Sequence, residues 1–250
     1  MNQSLPAFIE LWQTTLNWQP NPEQLQTFQV LYDQILEGNT QLNLTRITEA
    51  SDFWEKHLWD SLSGVSQINL DSLQNSCKVI DIGTGAGFPG IPIAISYPDW
   101  QVTLLDSTRK KLVFVQQILD KLLLKNAKIL VGRAEAIARE KQYRSNYDLA
   151  TIRAVSNASV CAEYALPFLK VGGTAILYRG QWSDEEDYNL KSALSLLGGE
   201  ITLVKSFQTP LTQGIRHCVY VQKILKTPEE YPRAIGTPTQ QPLGINFQDV

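Results

Sequence analysis

Val79-Ile80-Asp81-Ile82-Gly83-Thr84-Gly85-Ala86-Gly87-Phe88-Pro89-Gly90 is the stretch whose reading decides the fold. An apolar, β-branched run opens it and reads as a buried strand. Glycines then fall at alternate positions, which permits a tight turn and a backbone approach that side chains would block. The apolar run Ile91 to Ile95 resumes as a helix, with Pro92 tolerated in its first turn. Strand, glycine turn and helix N-terminus make the ligand-binding corner of a doubly wound α/β sheet.

Gly85-x-Gly87-x-x-Gly90 formally matches the dinucleotide fingerprint. Two features point elsewhere. The glycines begin one step earlier, at Gly83, and a carboxylate, Asp81, sits inside the strand before them. An anion there opposes a pyrophosphate but suits a cationic ligand. The pattern resembles motif I of the class I S-adenosylmethionine methyltransferases, whose cofactor carries an ammonium and a sulfonium. Asp81, Gly83, Gly85 and Gly87 are therefore read as cofactor-binding.

Working outward, βα alternation is regular from Cys77. Strands are expected at 77–83, 101–106, 128–132, 147–153 and 173–179. Helices are expected at 90–97, 108–124, 134–142, 158–169 and 185–197. Two further extended runs, 201–207 and 217–224, have no helix between them. They predict a hairpin that leaves an antiparallel strand at one sheet edge. The fold class is thus α/β, a Rossmann-like, seven-stranded, mostly parallel sheet with an N-terminal helical extension. In that extension, Leu5 to Trp18 is apolar on one side. Asn21-Pro22-Glu23 starts a second helix that Gly38-Asn39 should end. A third runs from about Glu49 to Val65. The expected organisation is a helical cap over 1–70, a cofactor-binding domain over 71–225 and an irregular tail over 226–250.

With 250 residues, the chain is long enough for one large α/β domain. A net charge of −3 excludes a generic polyanion binder, so any contact with nucleic acid needs a local basic patch. Cys77, Cys161 and Cys218 lack CxxC spacing, which argues for buried thiols and against a zinc site or disulfide framework. No signal peptide and no membrane-length apolar run are visible, so a cytoplasmic protein with no membrane partner is expected. No metal is expected.

Later strand ends supply further candidates. Asp106, at the end of the second strand, is placed to accept from ribose hydroxyls, or else caps the next helix, a role also open to Ser107 or Thr108. Ala134 and Glu135 follow the third strand and either border an adenine or cap a first helical turn. The fourth strand ends at Arg153-Ala154. Enzymes that methylate exocyclic base amines carry an Asp/Asn-Pro-Pro-aromatic motif there, and this chain does not. Nor does a cysteine stand there for a covalent adduct. Arg153 instead puts a cation at the catalytic edge. His57, Asp60 and Ser61, at i, i+3 and i+4, are either a polar set at the cofactor mouth or an anchor joining cap to sheet.

Taken together, Asn43-Leu44-Thr45, Lys56-His57-Leu58-x-Asp60-Ser61, the Gly83-to-Pro92 string, Leu105-Asp106-Ser107, Arg133-Ala134-Glu135, Arg153-Ala154, Tyr231-Pro232-Arg233 and Gly236-Thr237-Pro238 resemble the RsmG (GidB) family over nearly the whole chain. That resemblance implies methylation of guanine N7 in 16S ribosomal RNA from S-adenosylmethionine. The partner would be the RNA or an assembling small subunit, and the chain a monomer. It also implies cofactor contacts from Gly83, Phe88, Asp106, Ser107, Thr108, Ala134, Glu135 and Arg153. Lys56 stands where many members have Arg, and Arg179 where many have Lys. N7 carries a lone pair and no proton, so no general base is required. Arg153, His57 and Asp60 are the catalytic candidates. Lys56, Arg109, Lys110, Arg179, Arg216 and Arg233 are the candidates for RNA phosphates, with Lys111 and Arg144 as further cations. The alternative is a non-catalytic RNA-binding protein that keeps a degenerate cofactor fold; a dinucleotide-dependent oxidoreductase is a third reading.

Overall fold

The computed structural model describes residues 3–68 and 76–244. The expected boundary between cap and sheet, at 70/71, and the last six residues of the tail lie outside the described residues.

Helix α1 spans Ile9–Leu16 and α2 spans Pro22–Leu42. Asn21 starts α2 as expected: its side chain accepts from the Gln24 amide, the Gln24 side chain accepts from the Asn21 amide, and proline follows. Gly38 does not end the helix. A Cβ there would lie 2.2 Å from the ring of Phe114, so this glycine lets α2 pack closely on a later helix. The third helical stretch is α3 (Ala50–Phe53), a π-helical run Trp54–Trp59 and α4 (Asp60–Val65).

The sheet has seven strands in the order β3-β2-β1-β4-β5-β7-β6. They are β1 (Lys78–Ile82), β2 (Gln101–Asp106), β3 (Ala127–Val131), β4 (Tyr147–Arg153), β5 (Leu169–Arg179), β6 (Gly199–Gln208) and β7 (Ile215–Lys223). The first five are parallel neighbours, and β7 runs antiparallel to both β5 and β6. The hairpin is present, but its antiparallel strand lies inside the sheet: β7 inserts between β5 and β6, and β6 takes the edge. The crossover helices are α5 (Gly90–Ser96), α6 (Arg109–Lys121), α7 (Ala134–Ile137), α8 (Ala158–Ala165) and α9 (Asp184–Leu197). Helix α7 stops well short of the expected 142, and turns follow it.

The sheet buries side chains on both faces. Val79 packs with the cap, α5 and α6, whereas Ile80 and Ile82 pack with α8 and α9. The cap is tied down by polar bonds as well. Tyr178 and Tyr220 donate to the carbonyls of Ser61 (2.7 Å) and Gly64 (2.6 Å). Buried Glu55 accepts from the amides of Leu211 (2.6 Å) and Thr212 (2.9 Å), which fixes the β6–β7 turn against the π-helical run. The expected thiols Cys77, Cys161 and Cys218 are free and buried.

Over its described residues, 226–244, the tail is irregular apart from one short helix and is tied to the sheet domain by side chains. That helix is α10 (Thr237–Gln240), and two arginines hold the tail. Arg144 donates to the carbonyls of Thr227 and Pro228 (both 3.0 Å) and Tyr231 (2.8 Å), and Arg139 to those of Glu230 and Pro232. Among the described residues, no helix is long and apolar enough to cross a membrane.

Candidate active site

The glycine turn leaves β1 at the C-terminal edge of the sheet. The amides of Gly83 and Thr84 donate to the carbonyl of Leu105, so the turn is bonded to the end of β2. Gly85 and Gly87 both have positive φ, +60° and +100°, a region that L side chains rarely adopt. They serve different ends. A Cβ on Gly87 would meet Ile91 at 2.3 Å, so this position is needed for turn-to-helix packing. A Cβ on Gly85 would have no neighbour nearer than 3.9 Å and would project into open space. That space is a cavity of about 480 Å³.

Asp81 is not in that cavity. It is 0% exposed; Oδ2 accepts from the Gly90 amide (2.9 Å) and Oδ1 from the Thr151 hydroxyl (2.9 Å). The expected contact with a cationic ligand is therefore corrected: Asp81 braces the start of α5 from beneath. Burial raises its pKa to about 6, against the lowering effect of the bonds from Thr151 and Gly90. Gly87 likewise lies outside the lining.

Each of β1 to β4 sends its C-terminal end to the cavity wall, together with the cap and the tail. Asp106 and Ser107 come from β2, Ala134 and Glu135 from the start of α7, Arg153 to Val155 from β4, and Phe88 from the glycine turn. Asp106 acts as both a brace and a cap. Oδ2 accepts from Gly85 (2.9 Å) and Oδ1 from the Thr108 amide (2.7 Å), and a carboxylate has further lone pairs for a ligand. Thr108 is the N-cap residue of α6, but its side chain makes no capping bond and does not reach the cavity. Its expected cofactor contact is corrected, because the residue is exposed and outside the cavity lining.

Glu135 is almost wholly buried, and Oε1 accepts from Arg133 (3.1 Å), Tyr164 (3.2 Å) and the Gly236 amide (3.1 Å). Burial alone would raise its pKa; its own amide, Gly236 and Arg133 outweigh burial and lower it, so the group is an anion. Gly236 and Thr239 bring the tail to this corner of the cavity, a contact that sequence reasoning missed. Its signal was the quoted Gly236-Thr237-Pro238. Tyr164 was missed as well, for it reads as an ordinary core residue of α8.

The polar set of the cap separates. His57 stacks on Phe88, with ring centroids 4.5 Å apart, and bonds the Thr45 hydroxyl through Nε2 (2.8 Å). Its Nδ1 is buried with no partner among the described residues. Burial first, then Arg153 and Lys56, lower its pKa to about 3, so the ring is neutral. Asp60 pairs with Arg153 at 2.8 Å, and the same Nη1 donates to the Lys56 carbonyl (3.0 Å). Ser61 faces neither: its hydroxyl is turned back on the His57 carbonyl. Arg153 and His57 stand between this cavity and a second of about 500 Å³, which Asp60, Tyr178, Arg179 and Arg216 also line.

The candidate RNA cations divide too. Arg109 and Lys110 are exposed at the start of α6, and Lys111 lines the first cavity. Lys56 and Arg216 lie on the second. Arg179 lies there but is held by the Ser156 carbonyl and Glu186. Arg233 is corrected: it forks onto Glu163, which is 0% exposed, and so locks the tail to α8. Arg144 is spent on tail carbonyls, as described.

The cavity suits S-adenosylmethionine in its donor chemistry. A glycine cradle open where a Cβ would stand, a carboxylate beside it, a second anion at the far corner and apolar walls from Ile82, Leu105 and Val155 match a ligand with a cation, ribose hydroxyls and a base. Among the described residues, no three His, Cys, Asp or Glu side chains are grouped to hold a metal.

Comparison with known proteins agrees with this geometry. The family model described as GidB, rRNA small subunit methyltransferase G, matches residues 24–219. A ribosomal RNA small subunit methyltransferase G from Trichormus variabilis is 56% identical over 245 residues, 97% of this chain and 100% of the relative. One from Synechococcus elongatus is 52% identical, over 98% of this chain and 100% of its own. Among solved structures, MtNAS in complex with MTA and tNA aligns with TM-score 0.53 at 13% identity, covering 80% of this chain and 71% of that one. A SAM-dependent methyltransferase from Methanosarcina mazei aligns at 0.50 and 17%, covering 64% and 98%. At such identities these two speak for the fold, that of the class I methyltransferases.

Proposed function

The chain belongs to the rRNA small subunit methyltransferase G family, and from that premise we propose that it methylates N7 of a guanine in 16S ribosomal RNA, within the RNA or an assembling subunit. The observation that carries this reading is the pair of cavities joined at Arg153 and His57, one suited to the cofactor and one open to a base. Asp106 and the open glycine turn would hold the ribose and amino-acid end of S-adenosylmethionine, and Glu135 would read its adenine. The bound cofactor supplies an electrophilic methyl group.

Guanine N7 needs no base to activate it. Its in-plane lone pair forms the new N–C bond as the sulfonium S–C bond breaks, which leaves cationic 7-methylguanine and a neutral thioether. The protein's part is alignment, an effect worth roughly 7–11 kcal/mol when geometry is well held. Neutral His57, stacked on Phe88, gives that junction an apolar wall without adding a positive charge. Arg109, Lys110 and Arg216, with Lys56 paired at the surface to Asp52 (2.9 Å), are the candidate cations to meet phosphates. Action as a monomer in the cytoplasm, where subunits assemble, is part of the same reading.

Transfer of labelled methyl from S-adenosylmethionine to 16S RNA, followed by mapping of the modified base, tests this. Label on guanine N7 is expected. The rival reading, a non-catalytic RNA-binding protein, requires no label and no heat of S-adenosylmethionine binding in calorimetry.

A further inference from the structure

Most polar groups on the second cavity are already spent. Both oxygens of Glu55 hold the β6–β7 turn, and the Tyr178 hydroxyl donates to Ser61. Arg179 is held by Ser156 and Glu186. The Arg153–Asp60 pair differs. Nη1 of Arg153 and Oδ2 of Asp60 bind each other at 2.8 Å. Nε and Nη2 of Arg153 and Oδ1 of Asp60 have no hydrogen-bond partner among the described residues. The side chains are only 17% and 14% exposed, and both line the cavity. A donor and an acceptor thus stand side by side, half-satisfied, at the junction with the cofactor cavity.

That pairing has one complement among the purines. Guanine presents O6, an acceptor, next to N1–H, a donor; adenine presents an amine next to an unprotonated N1. Resting on the N7 reading above, we propose that the Arg153–Asp60 pair selects guanine, with Arg153 donating to O6 and Asp60 accepting from N1–H. Adenine would set donor against donor and leave the carboxylate facing a lone pair, the kind of mismatch that a polar site rejects strongly. The pair carries no net charge, so it does not oppose the positive charge that guanine acquires at N7. As that charge develops, N1–H becomes a better donor, and its bond to the carboxylate strengthens toward the transition state.

The test uses RNA in which the target guanine is replaced by inosine, 2,6-diaminopurine or 7-deazaguanine. The wild-type protein and Asp60→Asn are compared by kcat/KM and by RNA affinity in the presence of S-adenosylhomocysteine. Inosine keeps O6 and N1–H, so it should react nearly as guanine does. Diaminopurine keeps N7 but reverses the edge, and should lose about tenfold or more in the wild type, the discrimination expected of a two-bond base contact. In Asp60→Asn that preference should collapse. Equal rates on guanine and diaminopurine in the wild type would overturn the pairing, as would an Asp60→Asn loss equal on both bases, the mark of a merely structural role. The analogue comparison in the wild type stands even if the variant does not fold. Methylation of 7-deazaguanine RNA would instead overturn the N7 reading, and the pairing with it.

Discussion

The main-chain amide of Gly85 donates to Oδ2 of Asp106 at 2.9 Å, which joins the glycine turn to the end of β2. The carboxylate proposed to meet the ribose therefore also sets the shape of the loop facing it. Asp106→Ala should weaken S-adenosylmethionine binding by about 1.5–3 kcal/mol, the range for a charge-assisted hydrogen bond, with the fold retained. Asp106→Asn, which keeps an acceptor, should lose less. Isothermal calorimetry reads both, and an unchanged dissociation constant for the alanine variant would reduce Asp106 to a cap.

Gly85→Val should abolish cofactor binding in a protein that still folds. The added side chain meets no protein atom closer than 3.9 Å at its Cβ, so it projects into the cavity. Holding valine at φ +60° costs roughly 1–2 kcal/mol, which a domain of this size can absorb. Native circular dichroism with wild-type affinity would contradict the prediction.

His57 sets a pH dependence. Its folded-state pKa of about 3 lies below the ordinary 6.5, so the unfolded chain binds a proton that the folded chain refuses. Stability contributed by keeping the ring neutral is full above pH 6.5 and is lost as pH falls toward 3. Buried Asp81 has the opposite sign: raised from 3.8 to about 6, it favours the fold below 3.8 and loses that contribution as pH rises through 6. His57→Gln should therefore flatten the fall of stability below pH 6.5, measured by urea denaturation across pH. An identical slope in variant and wild type would show that His57 titrates normally.

Arg233→Ala should destabilise the protein by about 3–5 kcal/mol, the cost of stranding a buried carboxylate, because Glu163 is fully enclosed. Arg233→Lys should recover only part, since an ammonium cannot fork onto both oxygens. Denaturant midpoints decide; an unchanged midpoint for the alanine variant would return Arg233 to the pool of cations free for RNA.

Much of this was legible along the chain because it depends on local signals. Alternation of apolar runs with glycine and capping residues gave five parallel strands and their order of appearance. Asn21 capped its helix, and Asp106 and Glu135, read at or just after strand ends, line the cavity there. What failed depended on partners distant in sequence. Gly38 reads as a stop, but Phe114 stands against it. The fate of β7 depends on whether it pairs with β5 or lies outside β6, and both choices have the same local pattern.

The sequence by itself determined the glycine turn, the α/β alternation and the set of chemical groups at the sheet's C-terminal edge, since each follows from backbone freedom and periodicity within a few residues. Only the tertiary structure decided which of those groups remain available. Asp81 and Arg233 carry charges that look functional in one dimension, yet each is enclosed with a partner about 70 residues away, Thr151 for one and Glu163 for the other. Arg153 and Asp60, 93 residues apart, meet at a cavity with bonding capacity left over. Burial makes every charge find a partner, and the partner's location alone separates a brace from a binding group.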